Sequence, residues 1–565
     1  MKKIYLLLCL LVSVGLQAQV LELEKTYKIS RASKRGELSG LDYDKEARTY
    51  TLTYLTDMKK KSDRYIFKYE QYVFDSDFNF VKDAELEEDA EIMKKKFKWF
   101  RFKGEDYETI GNSVSQQIMG GIVLKRKKIL HHYSWLLGGY TKKTELLEKV
   151  KPRTEEGRSY SLVEYAEDEI NGDLYILATV NAKIGTRNND EVGDFTLLKY
   201  NVDLELVAKH DFNFPFKQVP AYVDIVERVN QDDPEEIGVA GFNLIFAPSD
   251  VYGKKFTDPN NNNYTFVSLD GDLKPTTQFN FESPSSYWRI DNMIVNGDDM
   301  YFYGPALAGK DKYFNKAVAS TATKTSGSLL GAIGSGEAKF KAVQLMKVSG
   351  GKLKFLTETT LADFKARQQF PPSQRKTPDY EGREFGVRSY NFMSNGDLVI
   401  LGQNYDRSKE GNINKFNDIL GFHFDGNGKL RAQYGVDTKE SGKIVTTSTD
   451  THYGISTITR ITTTLTRNFA CPQQLIEAQD GNAYWLLREI RDIRDGKLLT
   501  YPRMGRVDLK NATMTDLTTF GKGDGYYLNP NYPTLETDKG QSIVFFGADK
   551  PGRELWFARV ALKAK

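Results

Sequence analysis

Cysteine and histidine are scarce in this chain, and both shortages limit the disulfides and metal sites that it could form. The 565 residues include 2 cysteines and 5 histidines. Cys9 lies in an apolar leader, so a mature chain would keep Cys471 alone, which excludes an internal disulfide and a cysteine-based zinc cluster. We expect Cys471 to be a buried small side chain. The histidines are too scattered to predict a metal centre, and no metal or cofactor is expected; they are His131, His132, His210, His423 and His452.

A dominant charge is also missing. The 79 basic and 76 acidic residues give a formal net charge of +3, which does not indicate nucleic acid or an anionic membrane as a partner. Catalytic patterns such as His-Glu-x-x-His, Gly-x-Ser-x-Gly, the P-loop and the Rossmann fingerprint do not occur in a supporting context. Carboxylate pairs for glycoside chemistry are brought together by folding, so the sequence leaves that chemistry open. The balance favours a protein that is not an enzyme.

The N-terminus predicts export. Met1-Lys2-Lys3 is basic, and the apolar stretch from Ile4 to Leu16 has the length of a secretory signal core. We expect residues 1–18 to be a signal peptide and residues 19–565 to form a single domain. No later segment is long and apolar enough for a membrane helix. Leu8 precedes Cys9 where a lipoprotein signal would have a small residue, so a lipid anchor is not expected.

A short phrase recurs along the chain: Asn-Gly or Asp-Gly, a polar residue, then a run of β-forming residues. Asn-Gly and Asp-Gly favour the tight turns of β-hairpins, so each copy predicts a turn that leads into a strand. A repeat of tens of residues made of strands and turns is typical of a β-propeller. The copies are Asn171-Gly172-Asp173, Asn296-Gly297-Asp298, Asn395-Gly396-Asp397 and Asp480-Gly481-Asn482.

The fold class we predict is all-β, a β-propeller with eight blades, or seven as the alternative. Two β-sandwich domains would also show short strands with regular turns and remain the competing architecture. The last unit lacks an outer strand, and Val20 to Ile29 alternates as such a strand would, so we expect the mature N-terminus to close the ring. The predicted blades are residues 38–86, 115–150, 160–214, 220–283, 288–362, 386–437, 470–521 and 528–565.

Three segments interrupt the repeat. Residues 83–99 place acidic residues first and basic residues last, a pattern that predicts a short helix. Residues 309–338 are rich in small residues and predict a mobile loop. Residues 438–468 are rich in Ser and Thr, and Ile455 to Ile461 alternates as a strand would. Long loops on a rigid scaffold often carry function, although ornament without function is an equal alternative.

Basic clusters and apolar positions in the insertions are the candidate partner-binding residues. One basic cluster lies between two apolar runs and predicts a hairpin with a charged tip, and the other lies in an extended, proline-containing loop. Either could meet an acidic partner or a phosphorylated lipid A, or could be a solvated edge that discourages sheet stacking. The candidates are Lys125, Arg126, Lys127, Lys128, Leu329, Leu330, Ile333, Arg375, Lys376, Ile455, Ile458 and Arg460.

The end of the leader, Gln17-Ala18-Gln19, and the strand texture of Asn395-Gly396-Asp397-Leu398 resemble secreted β-repeat proteins of the Bacteroidota. The resemblance implies a periplasmic protein, since the apparent last strand, Glu554 to Leu562, leaves no sorting domain of the type IX system. It favours a non-catalytic scaffold that binds a protein at the outer membrane, such as an accessory subunit of a secretion machine. A glycan-active lyase or hydrolase, or a glycan-binding protein, is the alternative.

Overall fold

The structure is a computed structural model that describes most of the chain. The described residues are 20–60, 64–91, 107–117, 121–134, 139–180, 194–214, 218–231, 236–248, 263–285, 287–307, 340–382, 384–407, 414–437, 443–452, 455–465, 470–494, 497–519, 526–528, 534–536, 541–549 and 552–562. The chain divides into two compact units, residues 1–92 with 361–565, and residues 93–360.

The first unit is made of small, mainly antiparallel sheets. It also has two short helices, α1 (Arg31–Arg35) and α2 (Leu361–Ala366). Its strands are β1 (Val20–Lys28), β2 (Glu37–Asp44), β3 (Thr49–Lys60), β4 (Arg64–Phe74), β5 (Phe80–Glu91), β21 (Gln368–Gln369), β22 (Glu384–Phe392), β23 (Leu398–Arg407), β24 (Asn414–Phe424), β25 (Leu430–Val436), β26 (Lys443–His452), β27 (Ile455–Leu465), β28 (Gln473–Glu477), β29 (Ala483–Arg494), β30 (Lys497–Asp508), β31 (Thr513–Met514), β32 (Tyr526–Tyr527), β33 (Leu535–Glu536), β34 (Ser542–Asp549) and β35 (Glu554–Ala561).

The second unit contains one three-stranded and three four-stranded sheets among its described residues. Its strands are β6 (Tyr107–Gln117), β7 (Gly121–Ser134), β8 (Gly139–Val150), β9 (Tyr160–Glu167), β10 (Leu174–Val180), β11 (Phe195–Tyr200), β12 (Leu206–Phe212), β13 (Gln218–Val229), β14 (Ile237–Pro248), β15 (Asn263–Asp270), β16 (Pro275–Glu282), β17 (Asn292–Asn296), β18 (Asp299–Ala306), β19 (Ala342–Ser349) and β20 (Lys352–Thr360).

In most of these sheets, each strand pairs with the next strand along the chain. The orders β2-β3-β4-β5, β13-β14-β15-β16 and β28-β29-β30-β31 are examples of this meander, which is the topology of a propeller blade. The predicted all-β, propeller-type fold class is therefore confirmed. The number of blades and the single-domain organisation stay predictions.

The recurring phrase forms the tight turns it predicts. Its glycines have a positive φ, a conformation that costs glycine little because it has no Cβ. Gly172, for example, has a φ of 74° at the turn between β9 and β10, and Gly396 has a φ of 85° between β22 and β23. The local sequence is therefore sufficient to fix where these hairpins turn.

The N-terminal strand completes the last sheet, as predicted. β1 pairs antiparallel with β35 from Lys28 opposite Glu554 to Val20 opposite Ala561. The indole Nε1 of Trp556 donates a hydrogen bond to Glu24 Oε1 at 2.7 Å. The two ends of the chain therefore share one sheet.

The predicted helix at residues 83–99 is wrong for its described part. Residues 83–91 belong to β5 and pair with β4, where Lys68 lies opposite Glu87 and the two side chains form an ion pair of 3.4 Å. Cross-strand pairing competes with the helical arrangement that the order of charges suggests, and here it prevails. Residues 92–99 lie outside the described part.

Aromatic side chains fill the spaces between sheets within each unit. In the first unit, Phe74 and Phe557 are fully buried, with ring centroids 4.7 Å apart. In the second unit, Phe266 and Phe302 are fully buried in one apolar cluster, with ring centroids 5.9 Å apart. Such edge and tilted contacts add to the free energy gained by burying the rings.

Replacing Tyr27 tests whether the N-terminal strand holds the first unit together. Its ring lies 5.3 Å from Phe74 and 4.9 Å from Phe80, centroid to centroid, so it links the last sheet to the sheet of β2–β5. Tyr27→Ala is expected to lower the free energy of unfolding by about 2 kcal/mol or more, measured by urea denaturation. The control, Lys28→Ala, changes an exposed side chain of the same strand and should stay within about 0.5 kcal/mol of the unaltered protein. Equal effects of the two substitutions would contradict the proposed link.

Candidate partner-binding site

The structure separates the predicted binding residues into different places. Lys125 to Lys128 do not form a hairpin tip. They lie in the middle of β7, which pairs with β6 on one side and β8 on the other. The prediction of a charged tip is wrong because β7 continues through the basic residues to Ser134.

Two of these basic side chains are already engaged. Arg126 forms an ion pair with Asp203, and Lys128 Nζ lies 2.8 Å from Glu108 Oε2. Neither Lys125 nor Lys127 makes an ion pair within the residues that the structure covers. Whether the cluster binds a partner stays a prediction.

Residues 309–338, with Leu329, Leu330 and Ile333, lie outside the described residues. The second predicted insertion, in contrast, contains a strand as expected. Its described residues form the hairpin β26–β27, in which Ile455 lies opposite His452, Ile458 opposite Thr449 and Arg460 opposite Ser448. Within the described chain, these two strands pair only with each other.

The loop that carries Arg375 and Lys376 lies beside the start of this insertion. The Asp437 backbone N–H donates to Gln374 Oε1 at 2.9 Å, and Gln374 Nε2 donates to the Lys376 carbonyl at 2.8 Å. Lys376 Nζ is also 3.5 Å from Asp437 Oδ1. Gln374 therefore fixes the point at which the chain leaves the sheet of β22–β25.

A second glutamine fixes the end of the insertion. The Cys471 backbone N–H donates to Gln403 Oε1 at 2.9 Å, and Gln473 Nε2 donates to the Gly402 carbonyl at 3.0 Å. Cys471 is buried as predicted, and burial raises the pKa of its thiol to about 12, so the thiol stays protonated and unreactive. Asp437, before the insertion, is thus held by the loop of residues 370–380, and Cys471, after it, is held by Gln403 of β23.

We call the candidate site the braced hairpin: it comprises β26, β27 and the loop of residues 370–380, whose Gln374 holds Asp437, the last described residue before β26. A pair of strands has two outer edges whose main-chain N–H and C=O groups can receive a further strand. The insertion with its strand and the Arg375–Lys376 loop were predicted separately from the sequence. The contact of Gln374 with Asp437 was not, because a single glutamine in a loop carries no motif.

A buried polar cluster that the sequence did not reveal lies in the sheet of β22–β25. Asp397 Oδ2 accepts hydrogen bonds from His423 Nε2 at 2.8 Å and Arg431 Nη1 at 2.9 Å, and His423 Nδ1 lies 2.9 Å from the Tyr434 hydroxyl. Burial alone would raise the pKa of Asp397, but the bonds from His423 and Arg431 outweigh it and hold that pKa below its usual value.

The same cluster has a structural rather than a catalytic character. Burial lowers the pKa of His423, so the imidazole is neutral, with Nε2–H donating to Asp397 and Nδ1 accepting from Tyr434. His423 is fully buried and Tyr434 is 1% exposed, which leaves no access for a substrate. Arg431 also donates to the Lys510 carbonyl at 2.5 Å and so ties this sheet to the sheet of β28–β31.

One carboxyl group of the second unit has a strongly shifted pKa. Burial raises the pKa of Asp224 to about 6, partly offset by a hydrogen bond from Asn243 and increased further by the nearby Glu227. Asp224 lies opposite Asn243 in the β13–β14 pair, and Asn243 Nδ2 is 3.9 Å from Met293 Sδ in the neighbouring sheet. Asp224 is therefore packed between two sheets of this unit.

The described residues contain neither a group of metal ligands nor a helix that could span a membrane. No three His, Cys, Asp or Glu side chains there are grouped as metal ligands would be. The turns at Asp270 and Asp425 have closely spaced oxygens, as calcium loops do. In each turn, the Asp Oδ1 accepts hydrogen bonds from two backbone N–H groups of the same turn. No described helix has the length and apolar character needed to cross a bilayer.

No protein family and no curated protein matches the chain. Among solved structures, the WD40 domain of SCAP from fission yeast is 7% identical, with a TM-score of 0.22 and coverage of 96% of this chain and 98% of that chain. The exotype rhamnogalacturonan lyase YesX is 9% identical, with a TM-score of 0.24 and coverage of 92% and 89%. BBS1N, in complex with ARL6DN, is 9% identical, with a TM-score of 0.21 and coverage of 81% and 94%. Similarity at this level carries no argument about function.

Removing the Gln374 side chain tests whether it braces the hairpin. Gln374→Ala is expected to speed trypsin cleavage within residues 438–469 several-fold, because the start of the insertion loses its anchor. Global stability should fall by no more than about 1.5 kcal/mol, the size of one or two hydrogen bonds. Arg375→Ala, a change at the exposed neighbouring residue, is the control and should leave the cleavage rate unchanged. An unchanged rate for Gln374→Ala would show that the brace does not restrain the hairpin.

The raised pKa of Asp224 predicts how stability depends on pH. Because the pKa is higher in the folded than in the unfolded protein, its contribution is fully present below about pH 4 and is lost as pH rises through about 6. Asp224→Asn should therefore be more stable than the unaltered protein at pH 7.5, by about 1 to 3 kcal/mol, and similar to it at pH 4. Asp298→Asn, at an exposed turn, serves as the control in urea denaturation at both pH values. A stability gain of the same size at pH 4 would count against this explanation.

Proposed function

We propose that the protein is a non-catalytic scaffold that holds a protein partner through the braced hairpin. The observation that carries the proposal is the anchoring of this insertion at both ends, by Gln374 at Asp437 and by Gln403 at Cys471. A binding element gains affinity when its position is fixed beforehand.

The hairpin suits a polypeptide partner because of its main-chain edges. An isolated two-stranded hairpin is marginally stable in water, and a third strand would stabilise it. A partner segment in extended conformation could add to β26 or β27 by main-chain hydrogen bonds, with Ile455, Ile458 and Arg460 along one strand. The exposed Arg375 and Lys376 at the base would favour a partner with acidic residues nearby.

The setting of this activity is proposed from the sequence. The predicted leader and the resemblance to secreted proteins of the Bacteroidota support residence in the periplasm, with the partner at the outer membrane. An accessory role in an assembly or secretion machine, such as the type IX translocon, follows from that setting. A glycan-active enzyme or a glycan-binding protein is the alternative function.

Photo-cross-linking in the native cell envelope tests the proposal. A photoreactive residue at Ile458 should form an adduct with one outer-membrane protein in stoichiometric yield, identified by mass spectrometry. The same residue at Val207, which is 52% exposed on β12, is the matched control and should not form that adduct.

A second variant, in which residues 443–465 are replaced by a short Gly-Ser linker, should fold normally and lose the copurifying partner. Retention of the partner by this variant would contradict binding through the hairpin. Recovery of the protein without any adduct, together with turnover of a glycan, would favour the enzymatic alternative.

A further inference from the structure

The three-stranded sheet of the second unit separates its charges by face. Residues directly opposite each other in an antiparallel pair share a face, and neighbours along a strand alternate between faces. On one face, Lys125 lies opposite Lys149, Lys127 opposite Leu146, and His131 opposite Lys142. The strand β6 adds Ser113, Gly111 and Thr109 to this face at the positions opposite Lys125, Lys127 and Ile129.

We call this surface the lysine face, defined by Lys125, Lys127, Lys142 and Lys149. From Lys125 to His131 and at the positions opposite them, the face carries no acidic residue. Lys142 and Lys149 are exposed, whereas Lys125 and Lys127 are partly exposed. In the described chain, no carboxylate lies within ion-pair distance of any of the four.

The opposite face of the same sheet is balanced. Arg126 lies opposite Glu148, Lys128 opposite Glu145, and Leu130 lies between Glu108 and Lys143. Arg126 and Lys128 are also neutralised by Asp203 and Glu108. The sequence Lys125-Arg126-Lys127-Lys128 therefore divides into two engaged side chains on one face and, on the other, two that form no ion pair with any described residue.

The lysine face is electrostatically unfavourable as it stands. Like charges directly opposite each other, such as Lys125 and Lys149, destabilise a strand pair. His131 lies on the same face: burial lowers the pKa of its imidazole, and the charge of Lys142, which lies opposite, lowers it further. An anionic ligand bound to this face would be attracted to the lysines and would also reduce the repulsion between them.

We propose that the lysine face binds an extended acidic segment of a partner protein, with carboxylates at alternate residues. Side chains on one face of a strand repeat about every 7 Å, so Lys125 and Lys127 match acidic residues spaced i and i+2 in an extended segment. Exposed Leu146, at 51%, offers an apolar contact between the charges. This surface lies in the second unit and does not depend on the braced hairpin.

The binding test uses synthetic peptides and the full-length protein. The probe is a ten-residue peptide that alternates Glu and Thr. A peptide alternating Gln and Thr, and a block peptide with five Glu followed by five Thr, control for charge and for spacing. We expect the alternating peptide to bind at least about threefold more tightly than the block peptide, with an affinity that falls as salt rises.

A matched pair of neighbouring lysines makes the test specific. Lys142→Gln and Lys143→Gln remove the same charge from adjacent exposed residues of β8 that point to opposite faces. Lys142→Gln should weaken binding of the alternating peptide about three- to tenfold, whereas Lys143→Gln should change it less than twofold. Urea denaturation of both variants checks that each is folded.

Several outcomes would overturn the proposal. Equal losses in the two variants would mean that net charge, not the lysine face, governs binding. Binding of the block peptide as tightly as the alternating peptide would remove the role of spacing. Binding of vesicles with 30% anionic lipid that is weakened by Lys142→Gln, without peptide binding, would assign the face to a membrane surface instead.

Discussion

Main-chain pairing between the first and last strands is the constraint on which the first unit depends. Cys471, the one cysteine among the described residues, is not in a disulfide, so these strands must be held by packing and hydrogen bonds. β1 covers the outer edge of β35, and without it that edge would expose unpaired N–H and C=O groups. Trp556 and Tyr27 then connect this strand to the apolar interior on either side.

Much of the fold could be predicted because its signals are local or terminal. Turn residues such as Asn171-Gly172 act within four residues, and alternation at Val20 to Ile29 is visible without knowledge of the partner strand. The two errors concern charged segments, β5 and the basic part of β7. Charge order along a chain does not show which residue lies opposite, and the opposite residue decides whether a charged strand is stable.

The candidate site was predictable only in part for the same reason. The insertion and the proline-containing loop each have a distinctive composition, so both could be selected from the sequence. The contacts that hold the two ends of the insertion use the side chains of Gln374 and Gln403. A glutamine side chain can bond to many kinds of partner, so the sequence does not show which partner it has. The Asp397–His423 pair likewise comes together through strand register, across 26 residues of sequence.

These polar contacts fix the positions of neighbouring segments for the same physical reason. A buried amide or carboxylate without partners is costly, so each one that is fully bonded fixes the position of its neighbours. Arg431 and Gln403 act in this way between adjacent sheets of the first unit, where apolar packing alone would tolerate small shifts. In this fold, apolar burial therefore holds the sheets together, and the polar contacts fix their exact positions.

Because the insertion is anchored at both ends, it is a position at which one segment of chain could be replaced by another. Because Asp437 and Cys471 are each held by a side chain outside the insertion, the chain between them can change in length and sequence without altering the sheets that flank it. Related chains could thus acquire new binding specificities by replacing this insertion. A foreign hairpin could likewise be grafted between Asp437 and Cys471.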